Sequence, residues 1–493
     1  MHPGFPEYSY LMSYKKFNTD SPCVAIIGGG VAGATAAVHM GELGLNVLLL
    51  EKSAGLVNGP PICHLHAGGN LYREISQQQC LELLKQSIET VRLYPHTLNK
   101  RPTVIAVPHS DGGESQALLP RLELIQRSYQ QLVDEDPRNQ QLGQPQEYFK
   151  LYSREALQVL ATQQQSDQPT SFDDWVIPFA QHADLNQLKY PVIAVQEYGW
   201  SVFRLAASAE LALAAMPHCQ VLTHAQLIKS DFIDEQWQLV YLDAQKHEHV
   251  IHADYLVNAC GYETGIVDDL AKAPRQRLVE FKAAYVTRWA ECDQQWPEVI
   301  FHGPRGTPQG MAQLTPYADG LFQLHGMTEG ITLFKDGLVA SQAGSSQPVL
   351  PDYLERKIKN GWQQDALQER SERAIHHMSQ FIPQYIQAQV AGKPLFGAQQ
   401  IPGQDATLRA ADVTFEAHNY ARIEVVKGSS ALEAATKIVQ HWQLVNDEDL
   451  LQSIEARHPI SMSLALELVE EKAIALAKAR AYPEALAKIV GMV

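Results

Sequence analysis

Between Cys23 and Lys52 the chain carries glycines spaced to hold a phosphate: Gly28-Gly29-Gly30-Val31-Ala32-Gly33, a G-x-G-x-x-G. Gly28 permits a tight turn, Gly30 lets backbone approach a pyrophosphate, and Gly33 lets a following helix pack closely on its strand. The amides at the start of that helix would face the anion, and Val31 and Ala32 lie in the glycine turn that binds it. Glu51 follows at the distance where a carboxylate accepts hydrogen bonds from both ribose hydroxyls, with Lys52 directly after it. A 2′-phosphate would be repelled there. These groups need a βαβ unit to position them. Val24-Ala25-Ile26-Ile27 and Val47–Leu50 are short apolar runs, as in strands buried on both faces of a parallel sheet, and Ala34–Gly44 has helical composition.

Three later segments bear on which dinucleotide is held. After Glu51 the chain passes Asn58-Gly59-Pro60-Pro61 into His64-Leu65-His66-Ala67-Gly68-Gly69-Asn70-Leu71-Tyr72 instead of returning at once to a helix. Tyr255-Leu256-Val257-Asn258-Ala259-Cys260-Gly261 is an apolar strand ending in small residues, which suit backbone passing close to a cofactor. Ala421–Val426, Lys427-Gly428-Ser429-Ser430-Ala431-Leu432 and the residues after them read as strand, tight turn and helix. The helix start there can face an electron-rich carbonyl.

In this order the segments resemble the D-amino-acid-oxidase-like superfamily of FAD oxidoreductases. The resemblance spans most of the chain in layout and is specific at about four short stretches. It implies an α/β fold: a Rossmann-like FAD-binding domain, an inserted mixed-sheet substrate domain and a helical C-terminal tail. It implies FAD as cofactor, with Leu227 presenting backbone to the adenine and Ala259 and Gly261 near the dinucleotide. His66, Ala67, Gly68 and Gly69 would lie beside the flavin, and Gly428, Ser429, Ser430, Ala431 and Leu432 near its pyrimidine ring. The Gly-Asp pair of aromatic hydroxylases is absent, as are the second glycine fingerprint and redox cysteine pair of the glutathione-reductase class. Electrons are therefore expected from a substrate rather than from a nicotinamide.

Flavin reduction requires a substrate carbon held over the ring, a base for a proton on O or N, and a cation near the reduced flavin. Four residues are candidates. His66 sits in a His-Ala-Gly-Gly stretch similar to the His-Ala-Ala-Gly of sarcosine and dimethylglycine dehydrogenases, whose histidine bonds covalently to FAD. A covalent link, a non-covalent role and a structural loop histidine all stay open for it. His325 ends a strand-like run where the resembled substrate sheet returns to the flavin, and is a candidate base. Arg409 stands where relatives carry a substrate-facing arginine, with a surface ion pair as the alternative. Relatives show Gly-Leu-Arg-Pro nearby, and this chain has Gly397-Ala398-Gln399-Gln400. Lys427 precedes the C-terminal glycine turn. Lys282 ranks below His325, and Arg204 reads as a structural residue in the first turn of a helix. No metal site is expected.

The length of 493 residues suits two or three domains. The expected division is an FAD-binding domain over 20–100, 190–265 and 390–445, a substrate domain over 101–189 and 266–389, and a helical tail over 446–493. Strands are expected at Thr103–Val107, Val279–Val286 and Leu321–His325, and an amphipathic helix at Leu118–Asp134. A formal charge of −16 argues against nucleic acid as a partner. The six scattered cysteines read as reduced thiols, and no signal-peptide core or membrane-spanning run is present, so a cytoplasmic protein is expected. In the tail, Leu464, Leu468 and Ala475 recur at helical spacing and Pro483 opens a short helix. That face would pack on the FAD domain or a second subunit. Alternatively, Lys472, Lys478, Arg480 and Lys488 would meet anionic lipid at the inner membrane face. The expected activity is removal of a hydride from a small hydroxy- or amino-carboxylic acid, with electrons passed to a quinone or another acceptor such as an electron-transfer protein. An oxygen-using amine or amino-acid oxidase is the alternative, and a flavin-bound interaction protein without turnover is a third reading.

Overall fold

The computed structural model of the protein describes residues 21–59, 65 and 71–491. At the N-terminal end of this fold, β1 (Cys23–Ile27), α1 (Val31–Glu42) and β2 (Asn46–Leu50) form the expected βαβ unit. The two strands run parallel, Ile26 opposite Leu49. α1 begins at Val31, earlier than composition suggests, because Gly30 itself takes the N-cap position. Both strands can be apolar throughout because both faces are covered. Val24, Ile26, Val47 and Leu49 pack toward α1 and the helix Val202–Ala215. Ala25, Ile27, Leu48 and Leu50 pack against Leu227, Trp237, Leu239 and Ile251 of a three-stranded antiparallel sheet.

These strands belong to a six-stranded sheet in the order Val413–Glu416, Tyr420–Ile423, Tyr255–Asn258, β1, β2, Cys219–Leu222. All neighbours are parallel except the edge strand Val413–Glu416. A parallel sheet leaves its helix starts and glycine turns at one end of the strands, where a ligand is held.

The second layer is a ten-stranded mixed sheet. Its spine is the long strand Arg277–Arg288, paired with Leu321–Gly326, Leu338–Ala340, Gln389–Val390 and Leu395–Pro402. Thr103–Pro108, Phe149–Tyr152 and Leu188–Val195 extend the other edge, with the amphipathic helix Leu119–Glu135 nearby in sequence. Successive side chains on a strand point to opposite faces. On the long strand Phe281, Ala283 and Tyr285 face the helix Gln364–Ser379, in a core with Ile375 and Met378. Ala284 and Val286 face the other way, toward Phe203 and Ala207 of the helix Val202–Ala215. Glu280 and Lys282 continue that second face beyond the end of its apolar patch.

The tail contains the helix Leu466–Ala479, and Pro483 directly precedes a turn of 3-10 helix at Glu484–Leu486. The face it buries differs from the expected one: Val469, Ala473 and Ala477 are inside, while Leu468 and Ala475 are exposed and Leu464 is only partly covered. The buried residues are those on the face that packs against Val202–Ala215, in one core with Phe203 and Ala207. Each tail cation meets a protein partner: Lys472 pairs with Glu210 at 2.9 Å, Lys478 with Glu484 at 2.8 Å and Lys488 with Asp319 at 2.7 Å. Arg480 donates to the carbonyls of Leu56 and Val57 at 2.6 and 2.7 Å. Among the described residues no helix is long and apolar enough to cross a membrane.

Candidate active site

The site begins at the turn between β1 and α1. Gly28 has φ +97°, the left-handed region, and a Cβ there would come within 2.6 Å of the Ala259 carbonyl oxygen. A Cβ on Gly33 would collide with the Gly28 carbonyl oxygen, so the first turn of α1 can sit on the strand end only as glycine. Gly30 is different: open space surrounds its Cβ position, on the approach to the helix start. α1 has no side-chain cap and no acidic residue in its first turn. Uncapped N–H groups with free space above them are what a pyrophosphate requires.

Glu51 organises the rim of this turn. Its two oxygens accept N–H bonds from Gly29 and Ser53, each at 2.7 Å, leaving further lone pairs for a ribose. Its carbonyl accepts from Ala225 N at 2.9 Å, which draws Leu227 alongside the βαβ unit. Lys52 points away from Glu51 and pairs with Glu263, two residues after Gly261. Ala259 N donates to Ile27 O at 2.8 Å, so the Ala259–Gly261 segment runs directly past the glycine turn.

The C-terminal glycine turn meets the same place. Gly428–Ser430 is a turn of 3-10 helix leading into the helix Ala431–His441, which holds Ala431 and Leu432 in its first turn. A Cβ on Gly428 would stand 2.8 Å from the Trp200 ring and 3.2 Å from Val31, the first residue of α1. The helix Gln77–Leu93 fixes this turn: Thr90 Oγ1 donates to Ser429 O at 2.9 Å, and Ser430 Oγ donates to Gln86 Oε1 at 2.6 Å. The Ser429 hydroxyl is buried with no partner among the described residues. An uncapped helix start, an open glycine and an orphaned hydroxyl fit an extended dinucleotide lying from Gly30 toward Gly428.

The strand Leu395–Pro402 of the ten-stranded sheet reaches the segment entering the second glycine turn, and it pairs with the long strand where Glu280 and Lys282 stand. Lys282 Nζ lies 2.8 Å from Glu280 Oε2, and Arg305, from the loop Gly303-Pro304-Arg305-Gly306, pairs with the other Glu280 oxygen. Arg409, buried within the loop between Leu395–Pro402 and Val413–Glu416, lies within electrostatic reach of Glu280, Lys282 and Arg305. The expected surface ion pair for Arg409 is not formed among the described residues. It is buried instead, and its Nη1 donates to the carbonyls of Ala406 and Leu408 at 2.9 and 2.7 Å. Burial pushes the Lys282 ammonium below its ordinary value, with Glu280 opposing and Arg305 adding to the shift. Burial would raise the Glu280 carboxyl, but Lys282 and Arg305 outweigh it and hold it below the usual range. Burial, with Arg305 close by, also lowers Arg409.

His325 is half-buried on the strand Leu321–Gly326, one residue beyond Leu324, whose partner on the long strand is Tyr285. Leu324 faces the helix-covered core, so His325 turns to the crevice face shared with Lys282. Lys427 is the N-cap of the 3-10 turn. It is joined to the sheet through its neighbour, since Gln399 Nε2 donates to Val426 O at 2.8 Å and Gln399 pairs with Glu280 across the strands. Arg204 is wholly buried in the first turn of its helix and donates to Asn99 Oδ1, the structural place expected for it. His66, Ala67, Gly68 and Gly69 lie outside the described residues.

Sequence reasoning missed Glu280, Arg305 and Trp200. Glu280 had a signal, being a carboxylate two residues from Lys282 in an otherwise apolar strand. An open cavity of about 520 Å³, bordered by Thr328, Glu369, Arg373 and His376, lies on the outer, helix-covered side of the sheet. It is not part of this crevice.

No curated protein matches the sequence. Solved structures similar in fold include L-amino acid deaminase from Proteus vulgaris, at 12% identity over 87% of this chain and 94% of that one, TM-score 0.55. Glycine oxidase from Geobacillus kaustophilus is similar at 12% identity over 86% and 95%, TM-score 0.54. The glycerol-3-phosphate dehydrogenase from Bacillus halodurans, complexed with FAD, is similar at 13% identity over 96% and 82%, TM-score 0.53. The model of one family, FAD dependent oxidoreductase, matches residues 23–398. With the glycine turns, Glu51 and the facing sheet all inside or adjoining that span, this enzyme belongs to the FAD dependent oxidoreductase family.

Proposed function

We propose that the protein oxidises a small hydroxy- or amino-carboxylic acid at a CH–OH or CH–NH bond and passes the electrons to a quinone or another acceptor. The observation that supports this reading is that His325, Lys282 and Glu280 share one face of the ten-stranded sheet, and that Gln399, paired with Glu280, donates to Val426 O at the entry to the second glycine turn. FAD, when bound, accepts the hydride. Gly28–Gly33 and Glu51 hold its ADP half, with Lys52, Leu227, Ala259 and Gly261 bordering it, and Gly428–Leu432 approach the ring. Lys427 and the helix start at Ala431 place positive potential at that end, which favours added negative charge. His325 takes the proton from the substrate O or N, since an imidazole changes charge near neutrality. The cations on the sheet hold the substrate acid group, and sheet and turns together exclude water. In this reading the six-stranded sheet serves the cofactor and the ten-stranded sheet roofs the substrate.

Glycine oxidase and L-amino acid deaminase among the similar folds support an amino-acid substrate, and glycerol-3-phosphate dehydrogenase a hydroxyl one. An oxygen-using oxidase remains the competing enzyme reading. A non-catalytic interaction protein is disfavoured, because the tail offered as its partner surface is spent on Val202–Ala215 and the loop after Glu51. The test is an anaerobic screen of hydroxy and amino acids against the flavin-loaded protein. Loss of yellow colour with one of them is expected, and abundant peroxide in steady-state turnover with that acid in air would assign the oxidase. A flavin that no acid bleaches would remove the proposal.

A further inference from the structure

We infer that Gln313 and Glu298 are positioning residues for His325. Glu298 fixes which end of the Gln313 amide faces His325, and that end, a carbonyl, fixes which ring nitrogen of His325 carries the proton. This deepens the proposed function and rests on His325 being the base of that reading.

The first ground is where the side chains stand. Gln313 lies directly opposite His325 on the neighbouring strands Ala312–Pro316 and Leu321–Gly326. Side chains at opposed positions share a face, with Cβ atoms about 5 Å apart. On its other side Gln313 reaches the strand Glu298–Phe301, where its Nε2 donates to Glu298 Oε1. The second Glu298 oxygen accepts from Arg101 Nη1 at 2.8 Å, and both partners of that ion pair are buried. His325, Gln313 and Glu298 thus form one row across three strands, with Arg101 closing its end.

The second ground is the chemistry of the row. Paired with Arg101, Glu298 is a carboxylate, and a carboxylate only accepts. The NH2 of Gln313 must therefore turn to Glu298, which leaves its carbonyl Oε1 as the end directed elsewhere. A carbonyl opposite a neutral imidazole takes the N–H of one ring nitrogen and leaves the other bare, as a base requires. Lys282, on the same face, cannot do this, because an ammonium has only donors. The third ground is the setting. This face is apolar on both flanks, with Ile105 and Val107 on one side and Ala284, Val286 and Leu321 on the other. Glu298 and Gln313 are only 4% and 3% exposed between them. Apolar residues in place of a buried ion pair are often neutral or stabilising, so packing alone does not account for a charged row there. An orienting role does.

The experiment labels histidine nitrogens isotopically in the FAD-loaded protein and reads the ring-nitrogen NMR shifts of His325 at a pH above its titration. The resonances are assigned by their loss in His325→Gln. One tautomer is expected, and Gln313→Met, which leaves the Glu298–Arg101 pair intact, should convert it to a mixture. Glu298→Gln, whose amide can turn either end to Gln313, should do the same. Gln323→Met, on the same face but with its Oε1 accepting from the Tyr317 hydroxyl at 3.1 Å, should change nothing. With the acid that bleaches the flavin, Gln313→Met should slow bleaching about tenfold at saturation and leave the half-saturating concentration unchanged. A tautomer mixture in the native protein, a single tautomer or a bleaching rate that survives Gln313→Met, or an equal change in Gln323→Met would overturn the inference. If an acid bleaches the flavin while the tautomer ignores Gln313, oxidation stands and the orienting row falls. If the row sets the tautomer but no acid bleaches the flavin, the reverse holds.

Discussion

At the scale of single residues, the crevice tolerates little change because backbone, not side chain, fills it. Gly33→Ala would drive a methyl group into the Gly28 carbonyl oxygen, and either the turn or the start of α1 must move. Protein that folds but is purified with little or no flavin is the expected result, read from the flavin-to-protein absorbance ratio. A second residue-scale prediction concerns two histidines outside the crevice. His39 Nδ1 and His458 Nε2 lie 2.9 Å apart, and His458 Nδ1 donates to Ile454 O at 2.6 Å. His458 Nε2 is therefore the acceptor and His39 the donor, a neutral pair joining α1 to the tail. Burial pushes His458 down to about 4 and His39 well below its ordinary value of 6.5. The unfolded chain binds protons at these positions that the folded chain refuses, so stability is full above pH 6.5 and falls as pH drops toward 4. Thermal midpoints measured across that interval should decline steadily with acid, and a flat profile would contradict the pairing. The histidine pair was not legible in the sequence, since its members are more than four hundred positions apart.

At the scale of elements, the tail braces the loop beside the first glycine turn. Arg480 holds the carbonyls of Leu56 and Val57, and Val57 N in turn donates to Gly29 O at 2.7 Å. Glu210 accepts from Leu56 N at 3.3 Å and pairs with Lys472. The loop after Glu51 is thus pinned between the glycine turn and the C-terminal helix. Arg480→Met keeps the stem's packing and removes the donors, and FAD should then dissociate about tenfold faster, as for a lost charge-assisted pair. Stopped-flow release into an apoflavoprotein trap checks this, and an unchanged rate would show the loop to be held without Arg480. The tail helix itself was readable from its spacing, but its buried face was not. Leucines at helical spacing suggested a greasy stripe, whereas the face packed on the neighbouring helix carries Ala473, Ala477 and Val469. Hydrophobic pattern reports that a face is covered; the partner's shape decides which residues form it.

At the scale of the whole molecule, a buried carboxylate helps join the two large sheets, beside the bond that Gln400 Nε2 donates to Ile423 O at 3.1 Å. Asp268, wholly buried, pairs with Arg277 at the start of the long strand and with Arg422 Nε at 2.9 Å in the six-stranded sheet. It also accepts from the Tyr420 hydroxyl at 2.6 Å. Asp268→Ala would leave two buried guanidinium groups facing each other, a loss of about 3–5 kcal/mol. Chemical denaturation should show a lower midpoint with both sheets affected together, and an unchanged midpoint would contradict a joining role for Asp268. From the amino-acid order alone the βαβ unit, Glu51 and the second glycine turn could be identified, because each is a local pattern whose chemistry is carried by neighbours in the chain. The strand at Val279–Val286 and the helix at Leu118–Asp134 were legible for the same reason, through their periodicity. What the sequence could not decide was which distant side chains share a space. Glu280 meets Arg305, Gly428 meets Val31 and Trp200, and Asp268 meets Arg422 only once two sheets have stacked. Such meetings depend on register and packing summed over the whole chain, and no short stretch of residues contains that information.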